Sequence, residues 1–191
     1  MAELDALDRT GGTDRAREST WRPDRAGRRP GRAARHTKEQ KEHAMPMIDV
    51  YATTGTFPDR HQLARDLAAA LMAIEEVPDI PMFRQNTAAF VHELPAGDLS
   101  DVDGASNHVR VQVLTNAGAL DRDKQLAVVR RFTGMVAEAA ADPALADRTW
   151  VLLTEAVPGG WGLAGHAHTN DELVAAARKQ IAELRSAAGD Q

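Results

Sequence analysis

The sequence predicts an α+β fold in which two repeated β-α-β units form one four-stranded sheet with helices on one face, followed by a C-terminal hairpin and helix. Two observations carry this reading. Gly55-Thr56-Phe57-Pro58 leads to Gln62-Leu63, and Gly118-Ala119-Leu120-Asp121 leads to Gln125-Leu126 at the same offset, so one unit occurs twice. Each copy also passes from strand-like alternation to helical spacing and back to a strand-like run.

The first strand is Met47 to Thr53 and its counterpart Val109 to Thr115, where Val109, Val111 and Val113 alternate with Arg110 and Gln112. Pro58 suits the first turn of the first helix, whose apolar stripe is Leu63, Leu67, Leu71 and Ile74. Asp121 caps the second helix, with Leu126, Val129, Thr133 and Val136 on its buried face. Ala88 to Glu93 closes the first unit and Thr149 to Glu155 the second, while the Gly-, Asp- and Ser-rich segment 95–107 joins them. Strand, helix, strand within one sheet implies parallel pairing with a right-handed crossover. The sheet face without helices then needs a cover, which oligomerisation supplies. Pro158 to Gly165 is a glycine-dense turn or small hairpin. Thr169 and Glu172 form a capping box for the last helix, with Leu173, Ala177, Ile181 and Leu184 as its stripe.

The chain divides at Met45. Residues 1–44 hold eleven basic and eight acidic residues and no Ile, Val, Phe or Tyr, so they bury too little to offset ordering and read as a disordered leader or a misannotated extension. They lack the apolar segment of a signal peptide. Lys41-Glu42 can be encoded as AAG-GAG, a ribosome-binding sequence, with His43 and Ala44 as spacer before the Met45 codon. Met45 thus reads as a start, and residues 45–191 as the domain. If Met45 is trimmed, Pro46 carries a free secondary amine, a base that no internal proline supplies.

Of the chain's 23 basic and 28 acidic residues, 12 and 20 then remain in the domain, a net charge of −8 that argues against a nucleic-acid partner. The absence of cysteine excludes disulfides and thiolate chemistry and fits a cytoplasmic protein. No apolar run approaches the roughly 18 residues of a membrane span. His166-x-His168 has metal-ligand residue types, but with no cysteine and no carboxylate at a useful spacing, no metal is expected. Asp101-x-Asp103-Gly104 fails as a calcium loop because Leu99 and Arg110 occupy ligand positions. The glycines around Trp161 lack a phosphate-loop lysine. No cofactor is expected.

Pro46 after a removable Met, the doubled strand-helix-strand unit, and the stretch from Thr154-Glu155 to Trp161-Gly162-Leu163-Ala164-Gly165 together resemble the tautomerase superfamily. The resemblance is to the 4-oxalocrotonate tautomerase pattern in its long, fused two-unit form, and it spans Pro46 to about Leu184. It implies a homotrimer acting on a small-molecule substrate, with Pro46 as the catalytic acid-base group and Trp161 as an apolar wall. The arginines that clamp carboxylates in that family are replaced: Thr56, Ala88 and Trp150 stand in their places, and Thr115 to Leu120 contains none.

The expected reaction is keto-enol tautomerisation of a small carbonyl acid, in which one base takes a proton from one atom and returns it to another. A free α-amine titrates at roughly 7.7 to 8.0, and burial beside Trp161 favours its neutral form. An enolate needs a donor or cation; Arg84 and Asn86, before the closing strand, and Arg110 on the third strand are the substrate-binding candidates. The alternatives are a hydratase, dehalogenase or decarboxylase relative, in which a protonated Pro46 is the acid, and a non-catalytic oligomeric module if the leader is retained.

Overall fold

The structure is a computed structural model that describes residues 45–189. The expected leader, residues 1–44, lies outside the described residues. Six strands and four helices follow in order: β1 (Met47–Thr53), α1 (Arg60–Glu75), α2 (Pro81–Asn86), β2 (Ala88–Leu94), β3 (Val109–Asn116), α3 (Arg122–Ala139), β4 (Thr149–Ala156), β5 (Trp161–Leu163), β6 (His166–His168) and α4 (Asn170–Gly189), with a short 3₁₀ helix at Pro143–Arg148.

The main sheet has the order β2-β1-β3-β4. β1 pairs with β2 and β3 with β4 in parallel, and the two units meet through antiparallel β1 and β3. The repeated β-α-β reading therefore holds, with a related pair of units flanking the central ladder. Ile48 and Val50 of β1 and Val109, Val111 and Val113 of β3 face Leu63, Leu67 and Leu71 of α1 and Val128, Phe132 and Val136 of α3 in one buried cluster. Burying such side chains, at about 1.5–3 kcal/mol each, is what holds the helices on the sheet.

Three details differ from the expectation. Pro58 precedes the first helix rather than entering it, because Asp59 is the cap and accepts a hydrogen bond from the Gln62 N–H. The Asp121 cap on α3 is as expected, accepting from Lys124 N–H at 2.9 Å. The buried face of α3 is nevertheless rotated: Val128, Phe132, Met135 and Val136 are inside, while Leu126 is 44% exposed and Val129 38% exposed. Counting the stripe from Phe132 rather than from Leu126 recovers it, since the aromatic ring buries the larger area. The stripe of α4 likewise ends early: Leu173 and Ala177 are buried, but Leu184 is 44% exposed.

The sheet face turned away from α1 and α3 carries Phe90, Trp150 and Leu152, each at least 42% exposed, among Asp49, Tyr51, His92 and Arg110. Tyr51 stacks on His92 with ring centroids 4.5 Å apart, and the Arg110 guanidinium lies 5.3 Å from the Tyr51 ring centroid. No helix among the described residues is long and apolar enough to cross a membrane.

Mutation distinguishes the two assignments of the α3 face. Phe132→Ala should destabilise the fold by about 3–5 kcal/mol, whereas Leu126→Ser should change stability by less than about 0.5 kcal/mol. Chemical denaturation measures both, and comparable losses would restore the face predicted from the sequence.

Candidate active site

Pro46 is buried at the start of β1, between the flanking strands. Its carbonyl accepts a hydrogen bond from Ala88 N–H of β2 at 3.3 Å. On the other side the last ladder pair of β1 with β3 is Met47 with Leu114, and the Met45 N–H donates to Asn116 Oδ1 at 3.3 Å. Strand alternation places Pro46 on the helix side of the sheet, level with Thr87 ahead of β2 and Thr115 on β3.

Met45 has no exposed surface and packs in a second buried cluster with Ile80, Phe83, Ala156, Trp161, Leu173 and Ala177. The cluster draws on α2, the hairpin and α4, so elements distant in sequence converge on the residue bonded to the Pro46 nitrogen. Trp161, the predicted wall, is 6% exposed and belongs to it. The backbone entering Trp161 is tight. Gly160 N–H donates to Val157 O at 2.7 Å, and a Cβ on Gly160 would lie 2.8 Å from that same oxygen, so only glycine fits. β5 and β6 are joined by Ala164 and Gly165, both at positive φ (51° and 79°), as a type I′ turn requires.

The sequence reading did not identify Glu75. It is the last residue of α1, 4% exposed, and its Oε1 accepts the Thr115 hydroxyl at 2.9 Å, while Oε2 is buried without a hydrogen-bond partner. Burial pushes its carboxyl up to about 7, against the opposing effects of the Thr115 hydrogen bond and of the Lys124 charge. Lys124 Nζ donates to the Glu75 carbonyl at 3.0 Å and approaches Glu76 Oε2 at 3.6 Å. Glu76 itself ends the helix in the left-handed region at φ 59°. The Thr87 hydroxyl is a second buried group without a partner. Glu75 thus touches Thr115, whose chain neighbour Asn116 holds the Met45 amide. The signal for it was present: the stripe Leu63, Leu67, Leu71 continues at i+4 to Glu75, beside Ile74, which also packs against the core.

The predicted donors are placed differently. Arg84 is on α2, ion-paired with Asp79 at 3.1 Å, with both side chains largely exposed. It lines a cleft of about 560 Å³ together with Arg65, Met72, Val77 and Thr87. Asn86 donates to Met82 O at 2.7 Å and is occupied closing the last turn of α2. Arg110 pairs in register with Tyr51, five residues along β1 from Pro46 and so roughly 16 Å away at about 3.3 Å per residue. It donates to Gln112 Oε1 at 3.0 Å on the face away from α1 and α3. Within one chain the structure brings Trp161 to the Pro46 end of the sheet and does not bring Arg110 there.

No protein-family model matches the chain, and no curated protein matches it. Solved structures do. The chain is similar to Pt0534 inactivated by 2-oxo-3-pentynoate, with a TM-score of 0.56 and 17% identity over 66% of this chain and 98% of that one. It is similar to a wild-type fused 4-OT solved as an asymmetric trimer, with a TM-score of 0.54 and 18% identity over 66% and 98%. A member of the cis-3-chloroacrylic acid dehalogenase family matches with a TM-score of 0.51 and 19% identity over 66% and 87%. Fold is what these proteins share with the chain at such identities, the two-unit β-α-β fold of the fused 4-OT structures.

Proposed function

We propose that the working protein begins at Pro46 and is a keto-enol tautomerase for a small carbonyl acid, with the Pro46 amine as general base and acid. The observation that carries this reading is the position of Met45. Its side chain fills an apolar seat walled by Trp161 and Phe83, and its carbonyl carbon is bonded to the Pro46 nitrogen. Removing Met45 frees the amine and opens the seat beside it in one step. The buried, apolar surroundings favour the neutral amine, which is the form that accepts a proton.

The remaining roles fall on residues that line this end of the sheet. Trp161 and Phe83 exclude water and bind the carbon skeleton. Asn116 loses its Met45 partner on trimming, which leaves its Oδ1 available to accept a hydrogen bond from an enol hydroxyl. Arg84 can bind the substrate carboxylate from the neighbouring cleft only by leaving Asp79. Asn86 stays with Met82, and Arg110 can reach a site only from another subunit. A homotrimer, as in the fused 4-OT relatives, would cover Phe90, Trp150 and Leu152 and allow such sharing.

Three outcomes are expected. A chain beginning at Pro46 should convert enol to keto substrates such as phenylpyruvate, and a chain retaining Met45 should be slower by about 10²–10⁴, the usual worth of positioned proton transfer. The acetylenic ketone 2-oxo-3-pentynoate, which inactivates Pt0534, should add to the neutral amine without a leaving group. Peptide mass analysis should find the whole reagent on Pro46 in the trimmed chain and none there when Met45 is retained; equal activity or labelling in both chains would rule out Pro46. Leu152→Lys should lower the solution mass from trimer to smaller species by light scattering.

A separate prediction concerns Glu75. Its folded pKa of about 7 lies above the ordinary carboxylate value of 4.5, so between these values the folded state holds the extra proton. Stability should therefore be highest below pH 4.5 as far as this group is concerned, fall as pH rises towards 7, and level off above it. Glu75→Gln should remove this dependence and raise stability at pH 8 by an amount on the order of a few kcal/mol. Denaturation curves at pH 5 and 8 test it, and an unchanged slope in the variant would refute the assignment.

A further inference from the structure

His166 and His168 alternate on β6, so their rings project to one face of the hairpin. The rings meet edge to face with centroids 4.6 Å apart. Sequence spacing offered them no carboxylate, but the fold supplies one. β6 runs directly into the first turn of α4, where the capping box orients Glu172: its Oε2 accepts Thr169 N–H at 2.7 Å and the Thr169 hydroxyl at 3.1 Å. The other carboxylate oxygen, Oε1, is left facing His166 Nε2 at 3.2 Å. Nitrogen and oxygen ligand atoms from all three side chains lie within 4.8 Å of one another.

We infer that His166, His168 and Glu172 form a binding site for a divalent transition-metal ion of the zinc class. Two imidazoles and one carboxylate are the donor set that such ions select over magnesium or calcium. Ligands about 2.0–2.1 Å from a tetrahedral ion stand roughly 3.3 Å apart, which matches the His166–Glu172 separation. One further observation points to an outside partner. The Nδ1 of His168 is buried and makes no hydrogen bond, an orphan of the kind an ion accounts for.

The site has a mechanical consequence. His168 is the ladder partner of Trp161, and its carbonyl accepts Gly159 N–H at 3.1 Å. An ion shared by β6 and α4 fastens the hairpin that carries Trp161. This inference stands independently of the role given to Pro46.

The test is zinc titration of the full chain by calorimetry, with a chromophoric chelator as competitor. One ion per chain is expected at these residues. His168→Ala and Glu172→Gln should each weaken binding by about tenfold or more, since even outer-shell changes at metal sites cost about 10–100-fold. Glu172→Gln is the sharper variant because glutamine preserves the capping box while offering a poorer ligand; circular dichroism should show unchanged helix content. Magnesium should not compete. Zinc should also slow amide exchange across residues 161–168. No stoichiometric zinc in the wild type, or equal affinity in both variants, would overturn the site, as would displacement by magnesium. Unchanged exchange in the hairpin on zinc binding would overturn the fastening.

Discussion

Because β1 and β3 run antiparallel at the centre of the sheet, the first residues of one strand must lie beside the last residues of the other. The polar part of the candidate site follows from that pairing. It sets Met45 against Asn116 and brings Pro46 level with Thr115. Thr115 in turn holds Glu75, the end of α1. A one-residue slip of β1 would turn Ile48 and Val50 out of the core, so the same hydrophobic burial that stabilises the sheet also fixes the position of Pro46.

The surroundings of Glu75 show how the fold tolerates a polar group there. A fully ionised carboxylate at this depth would carry a large desolvation penalty, and one oxygen has no hydrogen bond. The Thr115 hydroxyl and the nearby Lys124 charge offset only part of it, so the group keeps its proton up to about neutrality. A buried, unequally satisfied carboxyl is a poor choice for stability alone. Its perturbed state beside the Pro46 end of the sheet would suit the proton transfer proposed there.

The strands were legible because their alternation is strong: Val109, Val111 and Val113 against Arg110 and Gln112 leave one face to choose. The Asp121 cap and the Thr169–Glu172 capping box were legible because the required side chains occupy fixed offsets, whereas Pro58 drew attention away from the Asp59 cap. The face of α3 was not legible, since Leu126 and Val129 are apolar yet exposed, and periodicity cannot weigh Leu126 against Phe132 six residues further along the same helix. α2 escaped notice because six residues give no period to read. At the candidate site, Trp161 was singled out through the family resemblance of the stretch around it, while Glu75, Thr115 and Asn116 were passed over because their contacts join residues 40 or more positions apart. Arg110 was chosen by residue type, although its strand position already set it near the far end of β1. Glu172 was read only as a cap, because what brings it to His166 is the turn from β6 into α4 and not a spacing along one element.

Met45 joins the stability of this end of the fold to its chemistry. A methionine with no exposed surface contributes about 1.5–3 kcal/mol through burial, and its amide satisfies Asn116. Cutting the chain after it, as proposed, gives up both and leaves Trp161, Phe83 and Leu173 lining a seat with nothing in it. A planar enol acid entering that seat restores apolar contact and offers its hydroxyl as a donor to Asn116 Oδ1. Substrate binding would then recover much of what trimming removed, which ties affinity for small, partly apolar acids to the space a methionine side chain vacates.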